Sequence, residues 1–312
     1  MIIKGVNLNV LGDQFHGFVQ GRTLIVDADG PAYVAAATVK TVGTAVRRFQ
    51  QAILTQMFLT KAERAELHLT SSTSHKAGRF NILATKPYQG NRDGQAKPAL
   101  LEATRQAVAQ PCNWLPEYEV VMNHIVEADD AMMTSSYRLK EHGLIWSGDK
   151  DLRNTPHPYW DQKLGKVIQG HGFGSLYLEY TPAGAMKLLG YGLKFFWPQC
   201  LMGDTADNIA GLTRLDGKLC GPAGAYAFLH PIEGENECAN AVLAAYARNK
   251  QNILPEGWLL WLLRHEKDTF WNYLTELQIT PDNQAYLAWC CSQQWFRVPE
   301  PKQQEVFDDV EY

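Results

Sequence analysis

Short apolar segments, each followed closely by acidic residues, limit most strongly how this chain folds. Segments with the apolar, β-branched character of buried strands occupy residues 23–26, 66–70, 118–122 and 144–147. The first of them ends at Asp27, and the last is followed two residues later by Asp149. Parallel strands direct their carboxyl ends to one edge of a sheet, where ligands bind in α/β proteins. The acids therefore predict a polar site at that edge.

Segments with helical periodicity alternate with these strands and predict an α/β fold, with a mostly parallel central sheet flanked by helices. They occupy residues 32–59, 98–110 and 128–142. Residues 166–180 predict an antiparallel hairpin, and the pattern is helical from about residue 182 onward. We expect an α/β domain over 1–181, a helical region over 182–230, and a helical C-terminal region over 231–312 that ends in a mobile tail at about 300–312.

The composition excludes several classes of protein. The chain carries 29 Lys and Arg residues against 33 Asp and Glu residues, a formal net charge of −4. A nucleic-acid partner would therefore be held by local basic patches and not by the overall charge. No apolar run reaches membrane-spanning length and no secretory signal is visible, so we expect a cytoplasmic monomer with no membrane partner. The six cysteines contain no Cys-x-x-Cys pair, which argues against structural zinc.

Four clusters of acidic residues carry the predicted chemistry. They are Asp27 with Asp29, Glu127 with Asp129 and Asp130, Asp149 with Asp151, and Asp204 with Asp207. Within a cluster, the spacings of two or three residues place side chains on one side of an extended segment or a first helical turn. Converging carboxylates repel one another, and hard cations such as Mg²⁺ or Mn²⁺ relieve that repulsion. Each cluster taken singly is also typical of a helix cap, but four at one sheet edge favour a two-metal site.

These acids occur in an order that resembles the 5′ nuclease superfamily, which includes flap endonucleases and phage 5′ exonucleases. The matching segments are Val26-Asp27, Glu127-Ala128-Asp129-Asp130, Gly148-Asp149-Lys150-Asp151 and Gly203-Asp204-Thr205-Ala206-Asp207-Asn208-Ile209. The resemblance implies a PIN/5′-nuclease-like fold and 5′→3′ exonuclease or flap endonuclease activity on DNA with 5′ ends, flaps or nicks. RNA–DNA hybrids are a further substrate class, and a phage-encoded chain would act in the host cytoplasm.

The resemblance also implies which acids serve each ion. Those implied for the first ion are Asp27, Glu127, Asp129 and Asp130, and those implied for the second are Asp149, Asp151, Asp204 and Asp207. The family usually has a further Asp after the second strand, where this chain has Thr70-Ser71-Ser72. Asp29, which lies close to Asp27 in the sequence, is our candidate for the missing ligand.

Residues 71–97 are polar, glycine-rich and basic, and they predict a lid or helical arch. The segment from Tyr88 to Arg92 resembles the base of the family's arch, which implies that Arg79, Tyr88, Gln89 and Arg92 contact nucleic acid and that Arg92 meets the scissile phosphate. The family has Lys at the position of Gln89. We favour the interpretation that Lys86 supplies the missing positive charge. The alternative is that no residue supplies it and that turnover is lower as a result.

Residues 221–225 resemble the glycine-rich turn of a helix-hairpin-helix element. The resemblance implies phosphate contacts near Lys218, Gly221 and Gly224, with K⁺ as a candidate ion at the turn. An ordinary helix start at Gly221-Pro222 fits the same residues.

Three other functions compete with the 5′ nuclease. A non-catalytic nucleic-acid binder of the same fold would explain Gln89 and Ser71. A PIN-type ribonuclease shares the sheet and the acids. A 3′→5′ proofreading exonuclease is disfavoured because its first motif pairs Asp with Glu, whereas this chain has Asp27-Ala28-Asp29.

Overall fold

The computed structural model describes residues 17–297 except 93, 95 and 171, together with the backbone of 2–3 and 6–7. The mobile tail expected at about 300–312 lies outside the described residues. Two short strands, β1 (Ile2–Ile3) and β2 (Val6–Asn7), pair antiparallel.

A six-stranded sheet forms the centre of the fold. Its strands are β3 (Val19–Asp27), β4 (Ala62–Thr70), β5 (Tyr118–Asn123), β6 (Gly143–Trp146), β7 (Tyr159–Asp161) and β8 (Lys166–Ile168). They lie in the order β5-β4-β3-β6-β7-β8, and every neighbouring pair is parallel except β7 with β8. The predicted mostly parallel sheet is confirmed. It places Asp27, the last residue of β3, beside the end of β6, which Asp149 follows three residues later.

Helices cover both faces of this sheet. In chain order they are α1 (Asp29–Ala37), α2 (Val42–Thr60), α3 (Leu101–Ala109), α4 (Ala128–Leu139), α5 (Phe196–Met202), α6 (Pro222–Leu229), α7 (Glu235–Arg248), α8 (Leu254–Leu260), α9 (Phe270–Glu276) and α10 (Pro281–Ser292). Side chains alternate along β3, so Leu24 and Val26 pack with Phe49 of α2, whereas Ile25 packs with Met132 of α4. The sheet thus joins two apolar cores.

The long helix predicted over 32–59 is wrong in one respect, because the chain breaks it into α1 and α2 at residues 38–41. The side chain of Thr41 accepts a hydrogen bond from the backbone N–H of Thr44 and caps the start of α2. Three of the four residues at the break, Thr38, Val39 and Thr41, are β-branched and favour helices weakly.

The hairpin predicted over 166–180 is also wrong in its pairing. Strand β8 pairs with β7, and a separate hairpin joins β9 (Ser175–Tyr180) to β10 (Met186–Tyr191). Helical structure therefore starts at α5 and not at residue 182. The turn between β9 and β10 has Gly184 at φ 79° and a hydrogen bond from the Ala185 amide to the Thr181 hydroxyl. The domain boundaries remain predictions.

The C-terminal helices pack around their own aromatic core. Trp197, Phe270 and Tyr273 are almost completely buried, and Trp261 stacks on Tyr273 with ring centroids 4.5 Å apart. Trp271, by contrast, is 40% exposed. In the described part of the chain no helix is long and apolar enough to cross a membrane.

The segment 71–97 folds as a loop whose apolar residues Ile82, Ala84 and Tyr88 pack with the core of the C-terminal helices. Its described residues contain two 3₁₀ turns, Lys76–Asn81 and Gly90–Arg92, and no α-helix. The lid is thus present as a loop and not as a helical arch. Pro87 is consistent with this, since proline and the residue before it disfavour helix.

Candidate metal centre at the edge of the sheet

A cleft of about 590 Å³ opens at the carboxyl edge of β3 and β6. Most of the predicted acids line it, namely Asp27, Asp29, Glu127, Asp129, Asp149, Asp151 and Asp207. The strand ends, the start of α4 and the loop after α5 bring these residues together from four parts of the chain. The cleft therefore contains the convergence of carboxylates that the sequence predicts.

A first group of acids surrounds Asp129. Burial raises the pKa of its carboxyl well above the usual value, and the neighbouring Asp149 and Asp27 raise it further. Burial and the charges of Asp29 and Asp149 also raise the pKa of Asp27 to about 6. Among the described residues, no hydrogen-bond donor or basic side chain contacts the Asp129 carboxylate. A divalent cation fits this position, because it would relieve repulsion that no protein group relieves.

A second group consists of Asp151, Asp204 and Asp207, each of which offers an oxygen within 4.8 Å of the others. The ammonium of Lys150 lies between two of them, 2.7 Å from Asp151 Oδ1 and 2.6 Å from Asp204 Oδ2. Burial and Asp149 raise the pKa of Asp151 to about 7, although Lys150 opposes the shift. Burial would raise the pKa of Asp204 too, but Lys150 outweighs it and the pKa is lowered.

A tight loop after α5 positions Asp204 and Asp207. The backbones of Asp204 and Ile209 exchange two hydrogen bonds, of 2.9 and 2.7 Å. Gly203 enters the loop at φ 72°, and a Cβ atom there would lie 2.2 Å from the carbonyl oxygen of Ile209. The motif's glycine is thus required by both backbone angle and space.

Asp130 does not line the cleft. It is fully buried and forms two hydrogen bonds with Arg79, of 2.6 and 2.8 Å, and it also accepts from the backbone N–H of Glu127 at the start of α4. Arg79 is 2% exposed and donates as well to the carbonyl of Trp261. Asp130 therefore caps the start of α4, and Arg79 joins the lid to the C-terminal core. Their assignment to the metal and to nucleic acid stays a prediction, and both carboxylate oxygens of Asp130 already accept hydrogen bonds from Arg79.

The carboxylate of Asp29 also contacts other groups of the protein through both of its oxygens. Its Oδ2 accepts from the backbone N–H of Thr70 at 3.1 Å, and its Oδ1 lies 2.8 Å from Arg105. Asp29 therefore fixes the end of β4, where the family's additional Asp is expected. The assignment of Asp29 as the replacement ligand stays a prediction.

Glu127 lies where the lid meets the acids. Tyr88 donates to its Oε2 at 2.6 Å, Arg79 lies 3.2 Å from the same oxygen, and Lys76 lies 3.2 Å from Oε1. Burial would raise the pKa of Glu127, but Arg79 and Lys76 lower it. Tyr88 is 7% exposed, so its ring packs inside the protein and is not a free platform for a base.

Gln89 and Arg92 both donate hydrogen bonds to the carboxylate of Asp207. Gln89 Nε2 donates to Asp207 Oδ1 at 2.9 Å, and Arg92 Nη2 donates to the same oxygen at 2.6 Å. Arg92 remains half exposed and lines the cleft.

Two lysines in the lid differ from expectation. Lys86 is exposed and lies outside the residues that line the cleft. Lys76 lines the cleft and donates to the side-chain oxygen of Gln89, although no motif drew attention to it. The only sequence signal for Lys76 was its position in a basic lid.

Lys218, Gly221 and Gly224 lie outside the cleft. Lys218 closes a turn with Leu215, and Gly221 precedes the first residue of α6. A Cβ atom on Gly221 would meet nothing within 4 Å, so the turn is open to approach from outside. Both the phosphate-binding turn and the ordinary helix start remain compatible with this geometry.

The fold and the site together define an α/β protein with two groups of carboxylates at the edge of a parallel sheet, a donor set suited to hard divalent cations. No family model and no curated protein matches the chain.

Among solved structures, the chain is similar to the 5′-exonuclease of bacteriophage T5 with divalent metal ions (zinc) bound, at 16% identity and a TM-score of 0.48 over 77% of this chain and 89% of that one. It is also similar to the phage's flap endonuclease in a pseudo-enzyme-product complex with DNA and metal ions, at 14% identity and a TM-score of 0.46 over 86% and 99%.

Proposed function

We propose that this protein is a divalent-metal-dependent nuclease that hydrolyses DNA phosphodiester bonds at 5′ ends and flaps. The observation that carries the proposal is the unpartnered Asp129 carboxylate, crowded by Asp27 and Asp149. Such crowding costs folding free energy unless a cation relieves it. The sequence motifs, which resemble those of 5′ nucleases, supply the reaction class and the substrate.

The proposed ligands fall into the two groups described above. Asp27, Asp129 and Asp149 would hold one Mg²⁺ or Mn²⁺, and Asp151, Asp204 and Asp207 would hold the other. Two such ions supply Lewis acidity for water attack and for the leaving oxygen in phosphodiester hydrolysis. Arg92 would orient the substrate phosphate, because its guanidinium is half exposed at the cleft.

Cleavage assays with labelled substrates test the proposal. A 5′ flap, a nicked duplex and an RNA–DNA hybrid should be compared with Mg²⁺, with Mn²⁺ and with excess chelator. We expect DNA cleavage with either metal, none with chelator, and preference for the flap. Cleavage in excess chelator would contradict the metal-dependent mechanism, and cleavage confined to RNA would favour the PIN-type ribonuclease.

The variant Asp151→Asn separates chemistry from binding. We expect turnover to fall by about 100-fold or more, as for loss of one charge-stabilising group at a reacting centre. Duplex affinity should change far less than turnover. The matched control is Glu266→Gln, which removes one negative charge at an exposed position outside the cleft. Normal turnover of Asp151→Asn would remove Asp151 from the proposed ligands.

A further inference from the structure

The lid carries an ammonium group into the acidic cleft. The side chain of Lys76 is 20% exposed, and its Nζ contacts Glu127 Oε1 at 3.2 Å and the side-chain oxygen of Gln89. The aromatic rings of Phe80 and Tyr88 lie 5.3 and 5.9 Å from it, close enough for cation–π attraction. Four side chains thus determine where this charge lies.

The other basic groups of the cleft differ from Lys76. Arg79 is enclosed and bound to Asp130, and Arg105 pairs with Asp29. Lys97 is exposed, and Arg92 is half exposed. Among the described residues that line the cleft, Lys76 is the lysine that is both largely buried and held at a fixed point.

The hydrogen-bonding capacity of Lys76 is not exhausted. An ammonium has three N–H donors. Two acceptors are found for it among the described residues, Gln89 Oε1 and Glu127 Oε1. The third donor is therefore available to an oxygen of a ligand in the cleft.

Gln89 connects this lysine to the carboxylates. Its amide oxygen accepts from Lys76, while its Nε2 donates to Asp207 Oδ1 and to the Tyr88 hydroxyl. A lysine at position 89 could not accept the hydrogen bond from Lys76, because an ammonium has no acceptor. The neutral amide is therefore the type of side chain that position 89 requires if the charge comes from position 76.

The backbone around Lys76 adopts an unusual conformation, as is common at functional sites. Lys76, Ala77 and Gly78 have φ values of 49°, 52° and 76°, so two residues with side chains adopt the left-handed region in succession. Such conformations are unfavourable and concentrate at functional sites. The turn is fixed in part by the hydrogen bond from the Ala77 amide to the Ile125 carbonyl, 2.8 Å long.

We propose that Lys76 binds the substrate's scissile phosphate and that Gln89 positions its ammonium. The proposal rests on the nuclease function proposed above. It assigns to Lys76 the charge that the sequence comparison expected at position 89 or 86.

Moving the charge tests the proposal. Single-turnover cleavage should be measured for Lys76→Met, Lys76→Gln, Gln89→Lys and the double variant Lys76→Met/Gln89→Lys. Either change at Lys76 should lower the rate by about 10²–10³, as for a lost charge-stabilising donor. Gln89→Lys alone should not raise the rate, because it adds an ammonium but removes the acceptor that positions Lys76. In the double variant it should recover about tenfold or more of the lost rate, because it returns an ammonium to the same place.

Two controls separate a specific role from a general loss of charge. Lys187→Met removes an exposed lysine of β10 outside the cleft and should keep the wild-type rate. Lys86→Met tests the competing assignment. A large loss in Lys86→Met with none in Lys76→Met or Lys76→Gln would overturn the proposal. A second result would also overturn it. The rate would fall in the Lys76 variants without recovering in the double variant Lys76→Met/Gln89→Lys, and the salt dependence of oligonucleotide binding would be the same with and without Lys76.

That salt dependence provides a readout independent of cleavage. Binding of a 5′-phosphorylated single-stranded oligonucleotide should be measured with Ca²⁺ over a range of salt concentrations. One lost phosphate contact lowers the slope of log K against log salt by about 0.7. If the wild-type chain cleaves no substrate, the proposed function fails, and the slope alone decides whether Lys76 binds phosphate.

Discussion

At the residue scale, Lys150 lies between two carboxylates that we propose as metal ligands. Its ammonium bridges Asp151 and Asp204, two members of the second carboxylate group. Because the same oxygens would bind a divalent cation, the lysine and the metal compete for them. The side chain is 40% exposed and has room to move away when an ion binds.

Lys150→Met should therefore strengthen metal binding while weakening the metal-free protein. We expect Mg²⁺ affinity to rise about tenfold, equivalent to two partly exposed ion pairs of under about 1 kcal/mol each. The unfolding temperature in chelator should fall, because the repulsion between the carboxylates is then unrelieved. Calorimetric titration and thermal unfolding measure the two effects. Unchanged Mg²⁺ affinity would mean that Lys150 stays in place when the ion binds.

A residue of the site can be predicted from the sequence when it directly follows a recognisable strand. Asp27 and Asp149 were predictable at the cleft because each follows a strand of apolar character, and parallel strands end at one edge. Lys76 was not predictable, because it is 13 residues from Gln89 and reaches it through an unusual left-handed turn. The burial of Arg79 was equally hidden, since its partners Asp130 and Trp261 are 51 and 182 residues away.

At the scale of elements, the loop after α5 is the part whose shape most directly controls the site. Gly203 and Gly211 approach each other closely, and a Cβ atom on Gly211 would lie 2.3 Å from the Gly203 nitrogen. Their φ values are 72° and 68°. The two glycines close the loop that carries Asp204 and Asp207.

Gly203→Ala should destabilise the protein and disrupt the second carboxylate group. We expect a loss of about 2–4 kcal/mol, from an unfavourable backbone angle and a collision with the Ile209 carbonyl. Gly217→Ala is the matched control, because Gly217 has φ 80° but open space around it, and should lose only about 1 kcal/mol. Denaturant unfolding measures both. Equal losses would show that the close approach at Gly203 is easily relaxed.

Element boundaries were predicted less accurately than element types. The apolar runs that became β3, β5 and β6 were unambiguous. The break between α1 and α2 depends on a capping hydroxyl from Thr41, which helical periodicity does not detect. The β9–β10 hairpin was missed because its short strands carry mixed polar and apolar residues, and pairing between strands rather than periodicity defines them.

At the scale of the whole molecule, the site lies between two cores. Leu24 and Phe49 belong to the core of the sheet, whereas Tyr88 of the lid belongs to the core of the C-terminal helices. Arg79 connects them through Asp130 on α4 and the Trp261 carbonyl. Packing of this kind fixes the lid with respect to the carboxylates.

The chain's charge predicts how DNA binding depends on metal. The net charge is −4, and acidic residues concentrate in the cleft where the phosphate of the proposed DNA substrate would enter. Without a divalent cation, the carboxylates repel the phosphate. Ca²⁺ should therefore raise DNA affinity without cleavage, by about tenfold or more at fixed ionic strength, as expected when charges a few ångströms apart change sign.

The double variant Asp129→Asn/Asp151→Asn tests whether the cleft acids cause this dependence. It should bind DNA more tightly than the wild-type chain in chelator, and the difference should grow as the pH rises, because both carboxyls have raised pKa values and repel the phosphate only when ionised. It should also respond weakly to Ca²⁺. Glu266→Gln/Asp282→Asn removes the same total charge at exposed positions outside the cleft and should keep the wild-type response. Fluorescence anisotropy with a flap substrate measures all three proteins. If both double variants behave alike, net charge controls the metal dependence and the carboxylates of the cleft do not.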